Sequence, residues 1–383
     1  MLKYCTNCVM PSTKPDLSFN DLGICSACTA YENRIHIDWA ERELEFVRVM
    51  NEYRDKNGKS WDCLIPVSGG KDSTCQVLKV LEYGFRPLCV TSTTCDQTEI
   101  GRRNLLNIRE LGVDCMEMSP NPKVRRQLNR LGLIEVGDIS WPEHVGIFTI
   151  PIRIATAFKI PLIIWGENSQ HEYGGPAVSQ DSKILDRRWL EEFGGLLGLR
   201  VSDIPEFAKI TEADLSSYSY PSNEELLEAG VTGLFLGYYF PWDGLANALV
   251  AQANGFETYG KSVEGSIVDY ENLDNFQTGI HDYFKFLKYG FGRASDIASL
   301  HIRRGRISRT QGMRMVIEHD GKFPATYLGR SLNKIIEPLG ITEDHFRKIC
   351  DQFTNEDLFV TDSQGNLVRD SSGSLVKINY DNQ

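Results

Sequence analysis

Four cysteines near the start of the chain form two C-x2-C pairs, Cys5/Cys8 and Cys25/Cys28, separated by sixteen residues. Each pair can set two thiolates on one cation, and tetrahedral sulfur coordination suits zinc. An iron–sulfur cluster or a redox dithiol are the competing chemistries. A second constellation is Ser68-Gly69-Gly70-Lys71-Asp72-Ser73-Thr74. Gly69 and Gly70 permit φ > 0 and close backbone approach, so successive N–H groups can form an anion nest. Lys71 adds a point charge, Ser68, Ser73 and Thr74 add hydroxyls, and Asp72 offers a carboxylate to Mg²⁺. This set fits a polyphosphate, specifically a pyrophosphate leaving group. The competing reading is a solvated glycine-rich turn.

A nest works only if a strand delivers it and a helix receives it. The apolar run CLIPV precedes the nest, and a helical pattern extends from it to Tyr83. PLCVTST, VDCMEMS and PLIIWGE read as further strands, with EIGRRNLLNIRELG as a helix between the first two. Strands alternating with helices at this spacing predict an α/β fold with a doubly wound parallel sheet. LFLGYYF at 234–240 is expected to add a strand. Residues 38–58 are predicted as a helix capped by Asp38, residues 177–230 as mostly helical, and 274–355 as a helical region packed on the sheet. The tail 361–383 reads as a short hairpin or as partly disordered. The organisation expected is therefore 1–36 as a four-Cys zinc ribbon, 37–60 as a linking helix, 61–260 as the α/β domain and 261–383 as a mainly helical C-terminal region.

One further match is a decoy. Gly255-x4-Gly260-Lys261-Ser262 fits a Walker A pattern, but it follows the helical stretch GLANALVAQAN rather than a strand. Without both flanks it holds no phosphate.

Composition excludes other classes. Among 383 residues, 41 Lys+Arg against 52 Asp+Glu give a net charge of −11, which argues against a broad nucleic-acid surface. No apolar run reaches membrane-spanning length, and MLKYCTNCVMPS lacks the apolar core of a signal peptide, so a cytoplasmic protein is expected. Cys63, Cys75, Cys89 and Cys115 lie in or beside apolar runs and read as small hydrophobes. Cys95 is the scattered thiol expected nearest a nucleotide.

Taken together, KYCTNCVMPSTKP, GICSAC, DCLIPVSGGKDST, NPKVRRQLNR, PEHVGIFTIPIRIA, PLIIWGENSQHEYGG and HDYFKFLKYGFGRASDIAS resemble the N-acetyl sugar amidotransferases, over residues 3 to 325. Within that likeness SGGKDST is similar to the PP-loop of the ATP pyrophosphatase superfamily. The resemblance implies a PP-loop ATP pyrophosphatase sheet and an ATP- and Mg²⁺-dependent enzyme with structural Zn²⁺. Such an enzyme adenylates the acetamido oxygen of an activated N-acetyl sugar and replaces it with ammonia, giving an acetamidino sugar for bacterial surface glycans. Lys71, Asp72 and Ser68 would then be catalytic, with Val67, Ser68–Thr74, Ser92, Thr93 and Gly166 around the nucleotide at the strand ends.

It further implies that Lys285 or Lys288 reaches phosphate, the alternative being a solvated basic face. Leu2 follows the initiator methionine and no G-x-C-x-G elbow is present, so the chain is expected to lack a glutaminase nucleophile. A docked glutaminase subunit similar to that of imidazole glycerol phosphate synthase, with its cyclase-like companion, is the implied ammonia source. His144, Glu167 and Asn168 lie where substrate could sit, although a satisfied structural role competes for His144. The run Arg303, Arg304, Arg306 and Arg309 reads as surface charge or as a site for an anionic sugar nucleotide. A tRNA-modifying PP-loop thiolase and a non-catalytic nucleotide-binding scaffold are the rival functions.

Overall fold

The computed structural model describes residues 2–55, 58–166, 184–185, 201–204, 210–371 and 373–378. Glu167 and Asn168 lie outside the described residues, as does most of 177–210. Strands β1 (Cys63–Pro66), β2 (Pro87–Ser92), β3 (Asp114–Met118), β4 (Leu162–Trp165), β5 (Ile184–Leu185) and β6 (Thr232–Phe235) form one sheet in the order β3-β2-β1-β4-β6-β5. The first four and β6 run parallel, and the short β5 pairs antiparallel to β6. Strand order reverses between β1 and β4, so the sheet is doubly wound with its switch point at the strand that carries the glycine-rich loop.

Alternation along the strands explains the two covering layers. Cys63, Ile65, Cys89, Leu162 and Ile164 face helices α2 (Trp39–Tyr53), α3 (Lys71–Glu82) and α4 (Glu99–Glu110), whose Phe46, Met50, Val77, Val80, Leu105 and Ile108 are all buried there. Leu64, Val90 and Ile163 face the opposite way, against Ile150, Ile152 and Ala155 of α6 (Trp141–Phe158). Each such buried aliphatic side chain is worth roughly 1.5–3 kcal/mol. The caps follow the sequence. Asp38 accepts from Ala40 and Glu41 N–H at 3.0 Å each, Thr98 accepts from Gly101 N–H, and α5 (Pro122–Val136) starts on Asn121–Pro122 and stops at left-handed Gly137.

Three expectations need correction. The helix predicted to reach Gly58 ends at Tyr53. LFLGYYF is only half a strand: β6 stops at Phe235, and Leu236–Tyr239 turns into helix because Tyr239 and Trp242 join the packed layer on α2 and α3. The tail is not a single hairpin. Successive tight turns pair Thr361 with Leu367, Arg369 with Leu375 and Phe359 with Lys377.

Among the described residues the remaining α-helices are α1 (Ser26–Asn33), α7 (Asn223–Ala229), α8 (Leu236–Tyr239), α9 (Gly244–Ala253), α10 (Thr278–Tyr289), α11 (Arg293–Arg303), α12 (Arg309–His319), α13 (Leu332–Ile336) and α14 (Glu343–Gln352). Phe276, Ile280, Tyr283, Phe284 and Leu287 meet Leu332, Ile335, Ile336, Phe346 and Ile349 in a core that also takes in Ala248, Ala251 and Phe256. The C-terminal region thus shares its core with α9, ahead of residue 260. Among the described residues no helix is long and apolar enough to cross a membrane.

Candidate active site

The loop after β1 is built as its residue types require. Gly69 sits at φ +83°, and a Cβ there would lie 2.6 Å from the Leu105 nitrogen of α4. Gly70 caps α3, its N–H donating to Ser68 Oγ at 3.2 Å, while the Ser73 and Thr74 hydroxyls both donate to its carbonyl at 3.0 Å. The loop therefore lies tight against α4 with the positive end of α3 at its mouth. Gly69→Ala is expected to cost at least about 2 kcal/mol, from left-handed strain plus the backbone clash. Chemical denaturation measures that loss, and nucleotide binding should fall with it.

A cavity of about 250 Å³ opens over this loop. Ser68, Gly69, Gly70, Lys71, Asp72 and Ser73 line one wall, and Tyr270, Glu271, Asn272, Asp274 and Arg293 line another. Lys71 is the centre of its electrostatics. Its ammonium lies 2.5 Å from Asp72 Oδ2 and 2.9 Å from Glu271 Oε1, with the Lys71 and Glu271 side chains only 8% and 11% exposed. Burial alone would push the Glu271 carboxyl up, but Lys71 and then Arg293 hold it below the ordinary range. Asp72 is fixed by Asn247 Nδ2 at 2.8 Å, and Arg293 by Asp282 at 3.0 Å. Asp274 carries no such partner charge, and burial raises its carboxyl. Asp72 and Glu271 supply hard oxygen donors close together, a set that fits Mg²⁺ shared with a polyphosphate.

Several residues singled out in the sequence fall elsewhere. Thr74 is fully buried behind the loop, bonded to Gly70. Val67, Ser92, Thr93 and Gly166 sit at or just beyond the carboxyl ends of β1, β2 and β4 but do not line the cavity. Val67 N–H continues the ladder to Val90, and Thr93 Oγ1 donates to Ser119 Oγ at 2.8 Å. Neither C-terminal lysine reaches the nest: Lys285 pairs with Asp296, and Lys288 donates to the Val136 carbonyl at 2.6 Å. The arginine run makes its contacts within the chain. Arg304 and Arg306 grip Asp243 at the start of α9, Arg303 Nε donates to Ser299 O, and Arg309 Nε donates to the carbonyls of Cys5 and Cys8.

Glu271, Asn272, Asp274 and Arg293 are among the cavity residues that sequence reasoning missed. They come from the aperiodic polar stretch DYENLDN and from the start of α11, and only tertiary packing brings them to the nest. Thr98 N–H donates to Asp274 O at 3.0 Å, and a Cβ on Gly101 would lie 2.4 Å from Asp274 Cα. That close approach delivers the stretch to the loop.

The four cysteines do converge, and all four are buried. Cys5 and Cys28 Sγ lie 3.9 Å apart, Cys8 and Cys25 Sγ 3.7 Å apart. Four thiolates on one zinc at about 2.3 Å would stand about 3.8 Å apart, so the donor set fits zinc. Four thiols packed this closely in a buried site are a donor set that one cation would draw together.

His144 lies 3.0 Å from buried Asp138, which also holds His281 at 2.8 Å. Burial would raise the Asp138 carboxyl, but the two imidazoles hold it well below the ordinary range.

Residues 257–370, which bring Glu271 and Arg293 to the nest, match the family described as LPS biosynthesis protein WbpG-like, C-terminal domain. No curated protein matches the chain. Two solved structures are similar to parts of it. NMN synthetase from Francisella tularensis is 13% identical over 51% of this chain and 82% of its own, with a TM-score of 0.28. A predicted subunit of tRNA methyltransferase from Methanocaldococcus jannaschii is 14% identical over 47% of this chain and 93% of its own, with a TM-score of 0.22.

Proposed function

We propose that this chain is a cytoplasmic, ATP-dependent, AMP-forming amidotransferase of the N-acetyl sugar type, serving bacterial surface-glycan synthesis. One observation carries the reading. A phosphate nest on β1 is closed by acids and an arginine from a segment that matches an LPS-biosynthesis family. In the reaction, the acetamido oxygen attacks the α-phosphorus of ATP, and the bond to pyrophosphate breaks. Ammonia then adds to the imidate carbon, and AMP leaves with the original oxygen. The Ser68–Ser73 backbone and Lys71 would hold the departing pyrophosphate, while Arg293 would face the nucleotide from the opposite wall. Mg²⁺, held by Asp72 and Glu271, would supply charge neutralisation. Ser68, exposed at the nest's lip, would direct its hydroxyl to a phosphate oxygen. Catalysis is then positioning and electrostatics rather than covalent chemistry.

Ammonia would come from a docked glutaminase subunit. The test is isotope exchange between pyrophosphate and ATP, followed by amidine formation. Exchange should require an N-acetyl sugar carrying a nucleotide or lipid. Product should be absent with glutamine alone, modest with ammonium at raised pH, and greatest with glutamine plus the glutaminase. Exchange stimulated by tRNA instead of sugar would overturn the reading.

A further inference from the structure

We infer that Asp138, His144 and His281 form a binding site for one divalent transition-metal ion, separate from both the thiolate cluster and the phosphate nest. The three residues come from three elements: the turn between α5 and α6, the first turn of α6, and α10. One ligand atom from each lies within 4.8 Å of the other two. Asp138 Oδ2 is 3.0 Å from His144 Nδ1, and Asp138 Oδ1 is 2.8 Å from His281 Nδ1. Ligands bound at about 2.1 Å to one ion stand about 3.0–3.4 Å apart. The two carboxylate–imidazole spacings are thus already near those of a shared ion, and the imidazole nitrogens, within 4.8 Å of each other, have a short distance to close. The imidazole planes cross at 78° with centroids 5.0 Å apart, so the rings meet edge to face rather than stacked.

The carboxylate is preset rather than recruited. Ser140 N–H donates to Asp138 Oδ1 at 2.9 Å, the kind of outer contact that orients metal ligands. Its turn is pressed against Gly132, where a Cβ would lie 2.5 Å from the Asp138 carbonyl oxygen, and it enters through left-handed Gly137. The Asp138 side chain is 2% exposed, while His144 and His281 are 24% and 27% exposed. The carboxylate is thus the floor and the imidazoles the rim, leaving coordination positions toward solvent. Lys288, also on α10, donates to Val136 O at 2.6 Å, and its charge acts on Asp138 from beyond ion-pair distance. Two imidazoles and one carboxylate with open positions suit Zn²⁺, Fe²⁺, Mn²⁺ or Co²⁺ better than Mg²⁺ or Ca²⁺, which prefer all-oxygen shells. The competing role is a brace, in which both histidines merely donate hydrogen bonds to Asp138.

The probe is Co²⁺, added to the tag-free full chain after the thiolate cluster has been filled with zinc. Calorimetry should report one further equivalent, visible absorption should be of the nitrogen/oxygen type without thiolate charge transfer, and proton NMR should show paramagnetically shifted ring signals from two histidines. His144→Asn and His281→Asn keep a donor for Asp138 but are poorer ligands. Each should weaken Co²⁺ binding about tenfold to a hundredfold or more and abolish the rise in melting temperature that Co²⁺ gives the unmodified chain. Should either variant fail to fold, the two shifted histidines in the unmodified chain still decide the matter. Absent binding, thiolate-type absorption, or isotherms unaffected by both substitutions would establish the brace and overturn the metal site.

Discussion

Replacing Lys71 by methionine is expected to abolish pyrophosphate exchange and to destabilise the protein by about 3–5 kcal/mol, because it strands Glu271 in a buried site. The sequence alone points to a phosphate-binding lysine whose loss costs activity but little stability. The structure changes that expectation: the ammonium lies 2.9 Å from Glu271 and so also neutralises a nearly buried carboxylate. Glu271→Gln should be milder in stability, since Lys71 retains Asp72 at 2.5 Å. The double variant Lys71→Met/Glu271→Gln should recover part of the stability, with a coupling of about 0.5–3 kcal/mol, yet none of the activity. Asp72→Asn separates the two effects. Asp72 is only partly buried, and its partner Asn247 can bond an amide, so the variant should fold normally while exchange falls about 10²–10³-fold. Denaturant melts and exchange rates for the four variants supply the check. Wild-type stability in Lys71→Met would show that the Lys71–Glu271 pair contributes nothing to the fold.

How much of this was legible beforehand follows from the range of each signal. The nest was, because a strand, two glycines and a helix cap are local features that lie within a dozen residues. The sheet was too, since CLIPV, PLCVTS and PLIIW are buried on both faces and leave unbroken apolar runs. The opposite wall was not. Glu271 and Arg293 lie about two hundred residues from the nest and carry no periodicity, and tertiary contacts such as Thr98–Asp274 and Asp96–Phe276 bring the stretch there. The arginine run misled for the same reason: its partners, Asp243 and the Cys5 and Cys8 carbonyls, are distant in sequence. Lys285 and Lys288 share a helix face, as their spacing requires, but that spacing cannot say that Asp296 and Val136 are waiting for them.

Removing metal from the four-cysteine cluster should weaken nucleotide binding as well as the N-terminal segment. Sequence reasoning places the cluster in a separate small unit, whose loss lowers solubility before catalysis. In the structure, Cys5, Cys8, Cys25 and Cys28 pack directly on Phe291. Thr13 Oγ1 donates to the Tyr289 carbonyl at 2.5 Å, and Arg309 ties α12 to the carbonyls of the first cysteine pair. The segment 289–291 is therefore held from the N-terminal side, and the next two residues are Gly292 and Arg293, the latter a wall of the phosphate cavity. Because a structural zinc supplies folding free energy directly, Cys5→Ser/Cys8→Ser should lower the melting temperature by at least about 5 °C. Amide exchange should quicken at residues 3–28 and, in the same experiment, at 289–294. ATP affinity should drop severalfold while Asp72 and Lys71 remain in place. If exchange quickens only at 3–28 and ATP binds as before, the cluster stabilises its own segment and exerts no hold on Arg293.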